Sequence, residues 1–370
     1  MWDSLRSVWK GFPRWVGAGL ALLWGYLLLA YPQQAGDGIR QGILLCGNVV
    51  LPSLFCFFVL TNFVIRSGLN RFLSLPLTPL TRWGFRLEPA LGCVVLMSWT
   101  GGYPVGPRAI SALVAQGQLD RRTAHRMLWF CCGAGPSFVI TAVGQIMLGS
   151  RRAGMLLYGI QLLSALLVGL AAARFAPKGK CSHRKAPVSL PELPLTAAFT
   201  QAVEDSVRLS LQMCGTILLF GSLVSLVRLS PLPGWGQDLL CGLAEVTNGC
   251  VLSTRMTGPA RLVLTSFFLS FGGLSVLFQV MSILREAQLS ARYYLGGRLL
   301  QGGLSAGLCW LCCRLFPETT AVFASSAPPV PVSAPNLPLT TLCLLGASSL
   351  LLLRACRKEN PDFGNAAGKS

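Results

Sequence analysis

Glu245 is the acidic residue most out of place in this chain. It sits in the apolar run Leu239-Leu240-Cys241-Gly242-Leu243-Ala244-Glu245-Val246-Thr247-Asn248-Gly249-Cys250-Val251-Leu252. A carboxyl group inside lipid is costly unless it is protonated, paired or wetted. Two readings follow. Glu245 couples a proton or cation, or hydrogen-bonds a substrate. Otherwise it caps a helix or pairs at the membrane interface, since Asp238 and Arg255 bound a short run. Thr247-Asn248-Gly249 adds a hydroxyl, an amide and a flexible backbone just beyond it.

The other candidate groups cluster at two breaks. Thr100-Gly101-Gly102-Tyr103-Pro104-Val105-Gly106-Pro107 interrupts the apolar stretch 91–114, and Ser270-Phe271-Gly272-Gly273-Leu274-Ser275 interrupts 262–284. Paired glycines and nearby prolines break a helix and free its backbone N–H and C=O groups. Within lipid, such backbone is tolerated only where protein buries it or where it lines a cavity. Each break is therefore expected to be a re-entrant hairpin or a discontinuous helix, the sequence pointer to a transporter site. Arg108 follows the first break and could pair an anion with its planar guanidinium, or snorkel to the interface. Tyr103, Ser275 and Gln279 offer neutral hydrogen-bonding groups beside the breaks. Asn62, Gln145 and the Gly135-Pro136-Ser137 break read as helix–helix contacts.

The elements that must hold these residues are membrane spans. Of 370 residues, 52% are hydrophobic and only 12% charged, about half the charge of a soluble domain. Spans of about 20 apolar residues are expected at 15–31, 43–65, 127–148, 155–175, 211–227, 239–252, 299–316 and 337–353. The fold class is thus all-α and polytopic, with about eight transmembrane helices plus two Gly-broken hairpins. The first run reads as an uncleaved span rather than a signal peptide.

The net charge of +18 comes from 31 Lys and Arg against 13 Asp and Glu. The basic residues fall in short clusters between apolar runs, among them Arg121–Arg126, Lys178–Lys185 and Arg285–Arg298. That is the signature of cytoplasmic loops, and it argues against a nucleic-acid partner. The 14 cysteines are scattered through apolar segments and the two histidines lie apart. Cys309-x-x-Cys312 lacks a second ligand pair, so no metal is expected. No phosphate loop, dinucleotide fingerprint or Ser-His-Asp set is present. An enzyme and a cofactor are therefore not expected.

The two breaks are followed at similar distances by Gln118-Leu119-Asp120 and Gln288-Leu289-Ser290. Asp120 and Ser290 would each cap the next helix. This suggests an internal duplication with Gly101-Gly102 the counterpart of Gly272-Gly273. The expected organisation is 1–42, an N-terminal tail and first span; 43–175, a first repeat; 176–194, a basic, proline-rich cytoplasmic linker; 195–316, an amphipathic helix and second repeat; and 317–370, an external loop, last span and basic tail. Inverted repeats would put the two hairpins on opposite faces, whereas the arginines after both favour one face.

Taken together, Pro52-Ser-Leu-Phe-Cys-Phe-Phe-Val-Leu-Thr-Asn62, Gly101-Gly-Tyr-Pro-Val-Gly106, Gly135-Pro-Ser-Phe-Val-Ile140, Glu245-Val-Thr-Asn-Gly-Cys250 and Ser270-Phe-Gly-Gly-Leu-Ser275 resemble the YlbJ-type sporulation integral membrane proteins, which carry the nucleoside-recognition, or gate, domain. The resemblance runs from about Ile43 to Phe316. It implies an architecture like the concentrative nucleoside transporters, with hairpins meeting near the bilayer midplane, and movement of dipicolinate from mother cell toward forespore. In that setting Arg108 would face a dicarboxylate, and Glu245 would lie beside the site. The substrate-binding set implied is Gly101, Gly102, Tyr103, Arg108, Glu245, Thr247, Asn248, Gly272, Gly273, Ser275 and Gln279. Phe130-Cys131-Cys132-Gly133-Ala134-Gly135 departs from the paired amides common in the family at this point. The partners expected are the lipid bilayer and a small anionic solute, with a homo-oligomer compatible, in a cell membrane such as the outer forespore membrane. The alternatives are a non-transporting membrane scaffold of spore maturation and a nucleoside transporter.

Overall fold

A computed structural model describes residues 18–19, 21–69, 72, 75–175 and 193–316. The linker, the proline-rich loop after 316, the last span and the basic tail fall outside the described residues. Of the first span, α1 (Ala21–Ala30) is described. Then come α2 (Pro32–Leu45), α3 (Leu51–Arg66), α4 (Gly92–Thr100), α5 (Val105–Ala115), α6 (Arg121–Met127), a wide π-type helix (Ser137–Met147), α7 (Arg151–Arg174), α8 (Leu195–Val227), α9 (Gly234–Ala244), α10 (Val246–Ser253), α11 (Pro259–Phe271), α12 (Gly273–Glu286) and α13 (Ala291–Leu315). No strand occurs among the described residues.

Three helices are long and apolar enough to cross a membrane: Arg151–Arg174, Leu195–Val227 and the broken pair Pro259–Glu286. The pair Pro32–Val50 and Leu54–Val64, bent by 59°, would make a fourth. The chain is thus a helical, multi-pass membrane protein, with three or four such spans among the described residues. The expected amphipathic helix after the linker and the span at 211–227 are one continuous 33-residue helix, α8.

Two expectations about the breaks are corrected. The stretch 239–252 is not a span. A Cβ on Gly249 would lie 3.0 Å from Gly242 Cα, so α9 and α10 fold back on each other with Glu245 at the tip. Residues seven apart in a continuous helix would stand about 10 Å apart. The first hairpin shows the same geometry, with a Cβ on Gly106 falling 2.6 Å from Ser98 Cβ. The second correction concerns Gly272-Gly273. It is a break within a single crossing, not a hairpin tip.

The element order therefore recurs in a different register from the one the sequence suggested. A hairpin (α4–α5), an interrupted helix (α6 to the π-type helix) and a long helix (α7) are followed, after α8, by a hairpin (α9–α10), an interrupted helix (α11–α12) and a long helix (α13). In this order Gly101-Gly102 corresponds to Glu245, and Gly272-Gly273 to the break at 131–135. The sequence signal misled because both breaks carry paired glycines, while the second hairpin turns on a glutamate.

This arrangement also separates the hairpins. The loop after α5 touches the loop after α12, where Arg121 donates to Gln288 Oε1 at 3.0 Å. The end of α7 lies there too, because Phe175 and Arg122 share a groove. Arg121, Arg122 and Arg126 lie at this end. The crossing Pro259–Glu286 reaches it at Glu286, so Pro259 stands at the other end. Five residues link Pro259 to the base of the second hairpin, so that hairpin rises from the opposite end to the first. Asp120 caps α6 by accepting the Thr123 N–H at 2.9 Å. Ser290 does not cap α13 through its side chain; its N–H goes to His125 Nε2 at 3.0 Å.

Candidate substrate cavity

Each hairpin tip rests against the break of the interrupted helix that follows it. A Cβ on Gly135 would lie 3.3 Å from Gly102 N, and one on Gly273 would lie 3.2 Å from Glu245 Cα. Backbone therefore meets backbone, and only glycine leaves the space. At Gly102 (φ +87°), Gly272 (+88°) and Gly273 (+77°) the chain also takes left-handed values that favour glycine. The two halves join where the Tyr103 hydroxyl donates to Leu269 O at 2.7 Å.

These four breaks surround one narrow cavity. Gly101, Gly102 and Tyr103 line it from the first tip, Glu245 and Thr247 from the second, and Ser275 and Gln279 from α12. Ser137 and Phe138 enter from the π-type helix, Leu54, Phe57, Phe58 and Thr61 from α3, and Met213, Thr216 and Ile217 from α8. Gln279 donates to Thr216 Oγ1 at 2.8 Å and so ties α12 to α8. The cavity volume is about 40 Å³, room for two or three waters when one needs about 10–15 Å³.

Not every expected residue reaches this cavity. Arg108 is exposed on the outer face of α5 and donates to Gln212 Oε1 at 3.0 Å. It lies in a separate groove with Arg66 and Asp205, which are themselves ion-paired at 2.5 Å. Asn248 gives its backbone N–H to Glu245, and its side chain lies off the cavity wall. Gly272 and Gly273 shape the wall from behind through Tyr103 and Glu245.

Glu245 is an N-cap, as the second reading held, but it is buried rather than interfacial. Its carboxylate accepts the Asn248 N–H at 2.7 Å and the Thr247 hydroxyl at 2.9 Å. It is only 2% exposed, and no ion pair to it occurs among the described residues. The first turns of the π-type helix, α10 and α12 border the cavity, as does Pro104 at the N-terminus of α5. Helix N-termini carry partial positive charge and unpaired N–H groups. Glu245 occupies that of α10. The other three have no side-chain cap.

The freed carbonyls are taken by residues that sequence reasoning missed. Arg298 is 1% exposed within α13, where the sequence placed it in a basic loop cluster. Its guanidinium donates to Cys132 O, to Trp129 O at 3.2 Å and to Ser270 O at 3.3 Å. One cation thus serves the C-terminal ends of both interrupted helices, where the dipole favours positive charge. Gln301 accepts from it, and Gln161 donates to Ala134 O at 2.8 Å. The available signal was an arginine flanked by Tyr294 and Gln301 on one helix face, with Gly296 and Gly297 between.

Among known proteins, the chain is 29% identical over 316 residues to "Sporulation integral membrane protein YlbJ" of Bacillus subtilis (strain 168), covering 75% of this chain and 78% of the relative. That similarity supports a YlbJ-type family assignment. No protein-family model matches the chain, and no solved structure does. The motifs at Gly101, Gly135, Glu245 and Gly272 are the four breaks that meet at the cavity.

Proposed function

We propose that this protein is a sporulation-associated secondary transporter of a small anion, of the aromatic dicarboxylate class to which dipicolinate belongs. The observation that carries the reading is the convergence of four backbone breaks on one cavity, with three uncapped helix N-termini at its wall. In a low-dielectric site such ends attract anions without a basic side chain. Arg298 draws off the opposing dipole ends, and Glu245, the carboxyl group at the cavity wall, would carry a proton while the anion is bound. The sporulation setting rests on the name of the relative.

A cavity of about 40 Å³ does not admit an aromatic ring until a wall moves. Hairpins that rise from opposite ends supply two such walls, each able to open the site to its own side. Such a pair of hairpins would give an architecture like that of the concentrative nucleoside transporters.

Purified protein in liposomes tests it, with labelled dipicolinate and nucleosides compared side by side under proton and sodium gradients. Accumulation of dipicolinate is expected. Accumulation of nucleosides alone would replace the anion by a nucleoside. No uptake of either by folded protein would favour the non-transporting scaffold.

A further inference from the structure

The groove at the arginine-rich end is unrelated to the substrate cavity and has its own chemistry. It lies between α6, the end of α7 and the start of α13. Arg122 and Arg126 form its basic wall, and Trp129, Phe175 and Tyr293 its aromatic edge. Among the described residues no carboxylate lines it. Its cavity volume is about 660 Å³, far more than the central site.

Two further observations say what fits there. First, α7 has 24 residues, so it spans about 36 Å, enough for a hydrocarbon core of about 30 Å. Phe175, 79% exposed at its end, therefore stands at headgroup level, where aromatic belts form. Second, the wall is preorganised. His125 stacks on Tyr293 with ring centroids 4.3 Å apart and accepts the Ser290 N–H. Arg126 donates to Arg86 O at 3.2 Å, which holds the chain at the groove.

We infer that this groove binds the headgroup of an anionic phospholipid from the leaflet at the arginine-rich end. The phosphate sits between Arg122 and Arg126, with Thr123 able to donate a further bond. The glycerol and upper acyl chains lie on Trp129 and Phe175. Basic pockets between spans recognise anionic headgroups in this way, and the apolar edge distinguishes a lipid from a soluble phosphate.

The full-length protein in phosphatidylcholine nanodiscs, with or without phosphatidylglycerol, tests this by thermal denaturation and by lipid retained on native mass spectrometry. Phosphatidylglycerol is expected to raise the melting temperature and to stay bound. Exposed Arg122→Gln is expected to weaken retention about fivefold, and the Arg122→Gln/Arg126→Gln pair more than tenfold. Arg151→Gln, at the other end of α7, is expected to leave retention unchanged. Equal behaviour in pure phosphatidylcholine would overturn the inference. So would an equal stabilisation by glycerol phosphate, which would mark a soluble-anion site. If the double variant fails to fold, Arg122→Gln alone decides: unchanged retention refutes the site.

Discussion

The Tyr103 hydroxyl donates to Leu269 O across 166 positions of chain, at 2.7 Å. Leu269 O is free because Gly272 ends α11 in a left-handed turn, and the next N–H no longer points back along the helix. A tip residue of one half thus closes the break of the other. Tyr103→Phe strands that carbonyl at a cost of about 1–3 kcal/mol. Melting of the purified variant in detergent should fall by several degrees with helix content unchanged. An unaltered melting temperature would show that the bond does not hold the halves together.

Arg298 repairs the same breaks from the other side. Arg298→Met removes the donor for Cys132 O, Trp129 O and Ser270 O, at about 1–3 kcal/mol for each carbonyl stranded. Poor recovery of folded protein is expected, with Arg298→Lys intermediate because an ammonium lacks the fork geometry. Fluorescence-detected size-exclusion chromatography checks it, and a Met variant as stable as the parent would contradict it.

The tip contacts make a sharp prediction for glycines. At Gly273 an alanine would take φ near +77°, with its Cβ 3.1 Å from Val246 N. Left-handed backbone alone costs a side chain about 1–2 kcal/mol. Gly159 in α7 has nothing within 4 Å of its would-be Cβ. Gly273→Ala should therefore lower thermal stability, whereas Gly159→Ala should keep or slightly raise it. Equal stability of the two would place the Gly273 break away from the packed backbone.

His125 gives a pH dependence. Burial, helped by nearby Arg121, holds its imidazole below the ordinary 6.5. The neutral ring is the form that accepts the Ser290 N–H. A lowered folded pKa means that the contribution is fully present above the unfolded value and is lost as pH falls through the folded one. Melting temperatures measured from neutral to mildly acidic pH should drop in the parent. His125→Gln, which cannot titrate, should flatten that part of the profile.

Much of this was legible because lipid punishes free backbone. Paired glycines at 101–102 and 272–273, and Pro136 after Gly135, could mark only breaks. Glu245 stood out by charge alone. Which breaks were hairpins was not legible, because a hairpin and an interrupted span leave the same local composition. The distinction lies in contacts such as Gly242 with Gly249 and Ser98 with Gly106. Arg108 and Arg298 were misplaced for a related reason. Both sit on helices, and only packing shows that Arg108 faces outward and Arg298 inward. Thr61, Thr216 and Met213 were missed because single polar or flexible groups in apolar helices resemble ordinary packing residues.

The placement of Glu245 and Thr247 at the cavity, and of Arg108 outside it, can be read in transport itself. Initial rates of dipicolinate uptake into liposomes would be compared for the parent, Glu245→Gln, Thr247→Ala and Arg108→Ala, with protein content and fold matched. Uptake by the parent is expected, with loss of about tenfold or more in the two cavity variants if each removes about 1.4 kcal/mol of interaction, and near-parent rates for Arg108→Ala. Parent-like uptake by both cavity variants, with loss in Arg108→Ala, would contradict the cavity as the substrate site.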